Sequence, residues 1–222
     1  MRLKTQQLID LKKYYHNNGW KIDDFNMSNI RNMNNLRKDV FNDLQIFFIN
    51  SEGYAVQNTT DPGKRCIENK GPGNGALFLK EGFHENSLCL DLHNQRVKEA
   101  FCSRPGKRYS DGKFAGCEPQ IIIRIIYDEE WNIISQKEYT GFFGANVHNA
   151  HNTLIVKNIG RYGEGCRVVL RNKDFKFMKS TAKKTDMFLK NPNVTLFSES
   201  IFNLDQEIGF INDIYRDFYG KI

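Results

Sequence analysis

His148 and Cys166 are the two residues whose types and spacing suit a general base and a nucleophile. His148 lies in the run Gly144-Ala145-Asn146-Val147-His148, which reads as a strand. Fourteen residues (149–162) then separate it from the turn Gly163-Glu164-Gly165-Cys166, after which Arg167-Val168-Val169-Leu170 resumes a strand pattern. A cysteine on a glycine-flanked turn, with one histidine able to reach it, is the arrangement in which an imidazole takes a thiol proton and the thiolate attacks a carbonyl. The backbone amides of Gly165 and Cys166 are candidate donors to the oxyanion that such an attack creates. Taken singly, Cys166 reads as a core residue and His148 as a structural histidine; the pairing is what favours catalysis. His93, Asn149 and His151 are candidates for substrate contact or for orienting His148, and Glu164 reads as a solvated turn residue beside the nucleophile. A zinc site built on His148, His151 and Cys166 lacks a fourth ligand at a recognisable spacing. No metal and no cofactor are therefore expected.

The elements that must place these residues are mostly strands. Residues 4–17 carry Leu8, Leu11 and Tyr15 at helical spacing and stop at Asn17-Asn18-Gly19. Residues 20–30 read as extended, and 40–60 as a β-hairpin turning at Asn50-Ser51-Glu52-Gly53. A loop beginning at Gly71 surrounds a short strand at 76–79. In 87–93 Leu88, Leu90 and Leu92 alternate with Cys89, Asp91 and His93, and further strands are expected at 97–102 and 120–127. Residues 103–117 separate those two strands, and 128–132 turn the second into Ile133-Ile134. Past Cys166, Asn172 reads as the N-cap of a helix running to about Lys183, 193–198 as a strand, and 204–218 as an amphipathic helix. Regular strand–helix alternation is missing, which argues against a parallel α/β sheet.

The 222 residues, 40% hydrophobic and 26% charged, fit a soluble globular chain. The net charge of +6 is dispersed rather than gathered into a Lys/Arg block. That favours general attraction to anionic polymers, bacterial cell wall included, over a dedicated nucleic-acid face. Five cysteines without a CxxC pair exclude a zinc ribbon or a thioredoxin-type site. Their plain reading is five reduced, mostly packed thiols; one disulfide among Cys66, Cys89, Cys102 and Cys117 stays open, with nothing in the sequence to choose the pair. The first residues hold no continuous apolar core, so a protein made without a signal peptide is expected. No stretch is long and apolar enough to predict a membrane helix.

The His148–Cys166 stretch resembles the catalytic motif of the L,D-transpeptidase (YkuD-type) family, in which a His precedes a Ser/Thr-His-Gly-Cys box. Gly163 and Glu164 stand at the first two positions of that box, and Arg167 directly follows the Cys. A wider series over much of residues 10–180 is similar to phage and prophage proteins described as peptidoglycan hydrolases of that fold. It comprises Phe41-Asn42-Asp43, Thr59-Thr60-Asp61-Pro62-Gly63, Leu92-His93, Gly141 to His148, the Gly165-Cys166 strand, and Asp174-Phe175 with Phe177-Met178. The resemblance implies an α+β fold: a β-rich, L,D-transpeptidase-like sandwich with an N-terminal helix and C-terminal helices. Residues 1–190 would form the catalytic domain, with the strand and helix of 191–222 packed on it. The implied function is cysteine-dependent processing of peptidoglycan stem peptides, cleavage rather than cross-linking. The action would be at the bacterial cell wall, as a virion component among other phage proteins or as a lysis enzyme. The alternative is an inactive phage structural or wall-binding component that keeps the fold.

Overall fold

Eight strands close into a barrel that carries helices on its outside. The computed structural model describes residues 1–33, 39–68, 75–93, 98–108, 114–160 and 163–220. In chain order the elements are α1 (Thr5–Asn17), β1 (Asn26–Arg31), β2 (Asp43–Ile49), β3 (Glu52–Thr59), α2 (Lys64–Glu68), β4 (Ala76–Leu79), β5 (Gly82–Leu92) and β6 (Glu99–Cys102). The short pair β7 (Lys107–Arg108) and β8 (Phe114–Ala115) precedes β9 (Gln120–Tyr127), β10 (Ile133–Gly141), β11 (Val147–Asn149) and β12 (Arg167–Val169). The chain then runs through α3 (Asn172–Ala182), α4 (Asp186–Lys190), β13 (Leu196–Asn203) and α5 (Gly209–Tyr219). Around the barrel the order is β1-β13-β5-β6-β11-β12-β3-β2, and β4, β9 and β10 form a separate three-stranded sheet. Two barrel pairings are parallel, β1 with β13 and β11 with β12; the others are antiparallel.

The period-two alternation of β2 sets what goes where. Leu44, Ile46 and Phe48 pack outward against Leu8, Leu11 and Tyr15 of α1 and against Ile211 and Ile214 of α5. Asp43, Gln45 and Phe47 consequently turn inward. The Tyr15 hydroxyl, fully buried, hydrogen-bonds Ser28 Oγ at 2.9 Å and Ser200 Oγ at 2.8 Å, tying α1 to β1 and β13 at once. The interior is layered. One end is apolar, built from Phe25, Met27, Phe47, Phe101, Val169 and Phe197. The other is polar, with Arg31, Asp43, Asn58, Arg167 and Glu199 all buried.

The α+β class, the N-terminal helix, the C-terminal helices and the β-rich core are as expected. The hairpin at 40–60 and the strands at 76–79 and 120–127 also form. Several details differ. The strands close into a barrel rather than stacking as two open sheets, because β13 inserts between β1 and β5 and removes both edges. Residues 196–203 are thus a stave of the barrel. The strand expected at 193–198 starts at Leu196, where the turn Asn191–Val194 has ended. The N-cap of α3 is Arg171; Asn172 is the first helical residue, and its amide donates to Asn152 O at 2.6 Å. The helix expected at 204–218 is split: a 3₁₀ turn ends at Glu207, whose φ of 53° breaks the helical run before α5 begins. α4 was hidden by its brevity. The turn at 128–132 does lead from β9 into an antiparallel β10, an edge strand whose Ile133 and Ile134 are exposed. The loop read from Gly71 and the segment 103–117 fall partly on residues 69–74 and 109–113, outside the described residues.

Candidate active site

The turn that ends in Cys166 is clamped from two sides by close backbone approaches that only glycine allows. Gly63 N–H donates to Gly163 O at 2.7 Å, and a Cβ on Gly63 would collide with the Gly160 carbonyl. Gly165 has φ +95°, and a Cβ there would collide with the Leu77 side chain of β4. The Thr59–Gly63 element and the Gly-Cys turn, 100 residues apart in sequence, are therefore one packing unit.

Beneath the turn lies a charged foundation. The Arg167 guanidinium forks onto Glu199, with Nε to Oε2 at 2.9 Å and Nη2 to Oε1; its Nη1 donates to Ala145 O at 2.8 Å. Both side chains have no exposure. Gln120 and Asn29 add donors to the same carboxylate at 3.2 and 3.4 Å. Burial still holds the Glu199 carboxyl above its ordinary pKa, with Arg167 opposing that shift. Nearby, Asp43 accepts Asn32 N–H at 2.7 Å, Thr60 N–H at 2.6 Å and Thr60 Oγ–H at 2.7 Å. Arg31 Nε donates to Thr60 Oγ1 at 2.9 Å and lies 3.7 Å from Asp61 Oδ1. Burial, with Asp43 alongside, raises the Asp61 carboxyl well above the usual range.

The parallel register of β11 and β12 decides how His148 and Cys166 relate. His148 is opposite Val168, and Cys166 precedes Val168 by two residues, so both side chains leave the same, outer face. At ~3.3 Å per residue along a strand and ~4.8 Å between strands, their Cα atoms are about 8 Å apart. No hydrogen bond joins them among the described residues. The buried Cys166 Sγ–H donates to Gly144 O at 3.5 Å, and Asn146 N–H donates to the sulfur at 3.5 Å. Phe41, Ile159 and Val168 pack around it. Burial pushes the thiol pKa up, the Asn146 amide and Arg167 oppose this, and Glu164 adds to it.

The half-buried His148 has its pKa lowered, chiefly by burial. Its Nδ1 is 3.0 Å from Asn149 O, which can only accept, so Nδ1 carries the proton and Nε2 keeps its lone pair. The ring stacks on His93, centroids 4.5 Å apart and planes at 29°. Asn146 sets the tautomer of His93: its Oδ1 accepts Ser103 N–H at 2.9 Å, so its Nδ2 donates to His93 Nδ1 at 3.1 Å, which places the His93 proton on Nε2. A groove of about 440 Å³ opens beside Asn149, lined by Lys98, Lys176, Lys179 and Glu99 among others.

The fold thus brings together Cys166, His148, His93 and the Asn149 carbonyl, with Gly165 shaping the turn. Other expected residues stand elsewhere. His151 Nδ1 accepts the Thr153 and Leu154 N–H groups at 3.2 and 3.0 Å and shapes its own loop. The Asn149 side chain bonds Asn152 at 3.2 Å rather than His148. Glu164 is exposed. Asn146, which serves both the sulfur and His93, was not singled out as a site residue; its place two positions before His148 on one strand puts it on the same face, a signal the period-two rule carries. Among the described residues, no three His, Cys, Asp or Glu side chains are grouped to hold a metal ion, and no helix is long and apolar enough to cross a membrane. Compared with protein-family models, curated proteins and solved structures, the chain matches none.

Proposed function

We propose that this chain is a cysteine-dependent acyl-transfer enzyme acting on peptidoglycan stem peptides, hydrolytic rather than cross-linking, of phage or prophage type. Its barrel would be a form of the β-rich L,D-transpeptidase-like core. The observation that carries this reading is the shared outer face of β11 and β12, with Cys166 and His148 two residues out of register and the Asn146 amide on the sulfur. The convergence of the motif series supports it: Asp43 holds Thr60, Gly63 holds the Gly163 carbonyl, and Asn146 and His148 both engage His93. The lysines beside Asn149 suit the free carboxylates of stem peptides.

The resting pair is neutral. Activation consists of the thiol turning from Gly144 O to His148 Nε2 and giving up its proton there. The Asn146 N–H stabilises the resulting thiolate. Sulfur attacks the peptide carbonyl, the Gly165 and Cys166 amides take the developing oxyanion, and His148 returns the proton to the leaving amine. Water, deprotonated by the same imidazole, then cleaves the thioester. Incubation with purified sacculi and mass spectrometry of the released muropeptides tests this: release by the native chain, none by Cys166→Ala and only a trace by His148→Ala is expected. Native-like release by either variant rejects the assignment.

A second reading, a non-catalytic wall-binding or structural component of a phage particle, is favoured by the burial of Cys166 and its raised pKa. It predicts co-sedimentation with sacculi that is unchanged in Cys166→Ala, with no muropeptide released by any variant.

A further inference from the structure

Away from Cys166, two of the other thiols meet around the backbone carbonyl of a third cysteine. Cys89 in β5 is directly opposite Cys102 in β6. Cys117, in the extended stretch leading to β9, is held against the same place by its N–H donating to Arg104 O at 3.0 Å. The Cys89 and Cys117 sulfurs both donate to Cys102 O, at 3.5 and 3.6 Å. The Cys102 thiol instead runs along the strand to Asp91 O at 3.6 Å. Two sulfurs converging on one oxygen, from stretches that the Glu118 N–H to Asn86 O bond at 2.9 Å already holds side by side, form the geometry from which a bond can close without moving a strand.

We propose that Cys89 and Cys117 are a reversible oxidation site that closes to an intramolecular disulfide, with a low-molecular-weight disulfide of the glutathione class as the oxidant. The order of events follows from how the two thiols sit. The Cys89 thiol beside it lowers the Cys117 pKa, with the Arg104 amide and guanidinium assisting, while the Cys117 sulfur and burial push the Cys89 thiol up. Cys117 is therefore the first to ionise and the attacking sulfur. Its thiolate breaks the S–S bond of the oxidant, giving a mixed disulfide and one small thiolate. Cys89 then loses its proton to solvent, attacks the Cys117 sulfur and expels the second small thiolate. Two protein thiols are oxidised by two electrons, and the oxidant leaves as two thiols carrying both protons.

The bond would staple the strand that delivers His93. Arg104 already grips that strand end, with Nη2 to Leu92 O at 2.7 Å and Nε 3.4 Å from Asp91. A link from Cys89 to Cys117 fixes the same strand covalently, four residues before the imidazole that stacks on His148. A chain moving from a reducing to an oxidising compartment gains this staple without any change in pairing.

The test is equilibration of the intact chain in graded ratios of reduced to oxidised glutathione, acid quench, alkylation under denaturing conditions, and peptide mapping by mass spectrometry. The expected result is one linked peptide pair, Cys89–Cys117, with Cys66, Cys102 and Cys166 alkylated, together with a melting temperature several degrees above that of the reduced chain. The linked pair should persist in Cys102→Ser and vanish in Cys117→Ser. Full alkylation of all five thiols in the most oxidising mixture, or a link that runs to Cys102 instead, overturns the proposal.

Discussion

On the barrel side of β12, Arg167 spends Nε and Nη2 on Glu199 and Nη1 on Ala145 O, and Glu199 gathers further donors from Gln120 and Asn29. One residue earlier on the same strand line, the Cys166 sulfur faces outward with two contacts of 3.5 Å, both to backbone atoms. His148 on the neighbouring strand has one directional bond and a stacked ring. The inward face is charged and its ion pair is held by several partners; the outward face is neutral and sparsely bonded at its two key groups. The difference teaches which substitutions should unfold the chain and which should only silence it.

The largest contrast is expected from the outward face. Cys166→Ala should abolish muropeptide release and His148→Ala should reduce it on the order of 10²–10⁴-fold, the range removed with a general base. Both should melt within a few degrees of the native chain. A large loss of stability in His148→Ala would show that the two faces are not separable. Next comes the inward face: Arg167→Met strands a buried carboxylate and should destabilise by roughly 3–5 kcal/mol in urea denaturation. Pairing it with Glu199→Leu should recover most of that, because replacing both ions removes the unpaired charge. If the double variant is no more stable than the single one, the ion pair is not the unit that matters.

Gly165→Ala, at the hinge between the faces, should cost about 1–3 kcal/mol from its positive φ, and more if Leu77 cannot yield. Leu77→Ala in the same background should return part of it. The pH dependence sharpens the comparison further. Because burial lowers the His148 pKa, the base stays unprotonated into mildly acidic solution. The acid limb of kcat/KM should therefore fall below pH 6.5, and a limb above that value would contradict a buried imidazole base. A second pH dependence belongs to stability and to His84, whose pKa burial pushes down to about 4 while its Nε2 bonds Lys80 O at 2.8 Å. Between pH 6.5 and about 4 the unfolded chain binds a proton that the folded chain refuses. This contribution is intact above 6.5 and is lost as the pH falls through that window. His84→Gln should flatten the decline in melting temperature over that interval.

Local patterns were readable. Leu8, Leu11 and Tyr15 announced α1 by spacing, the 40–60 hairpin announced itself by its turn, and the Gly-Cys turn was visible from its glycines. What stayed hidden depends on distant pairings. Glu199, in Phe197-Ser198-Glu199-Ser200, has the alternation of a strand with a solvated face; its burial comes from Arg167 and from closure of the barrel around it. Arg167 likewise reads as a charged residue after a turn until β13 supplies its partner. His93 was legible as a candidate, but its stacking on His148 needed β6 to place the end of β5 beside β11. The mutual offset of Cys166 and His148 follows from a parallel register that no local pattern records.

The position of β13 has a kinetic consequence. Its register with β1 joins residues such as Asn29 and Glu199, 170 apart in sequence. Bringing such distant segments together is entropically slow and comes after local hairpins have formed. Until it happens, β1 and β5 present open edges, and the Arg167 charge has no counter-ion. Refolding should accordingly show a slow final phase in which barrel closure and neutralisation of the arginine occur together, and the species before it should be the one that aggregates.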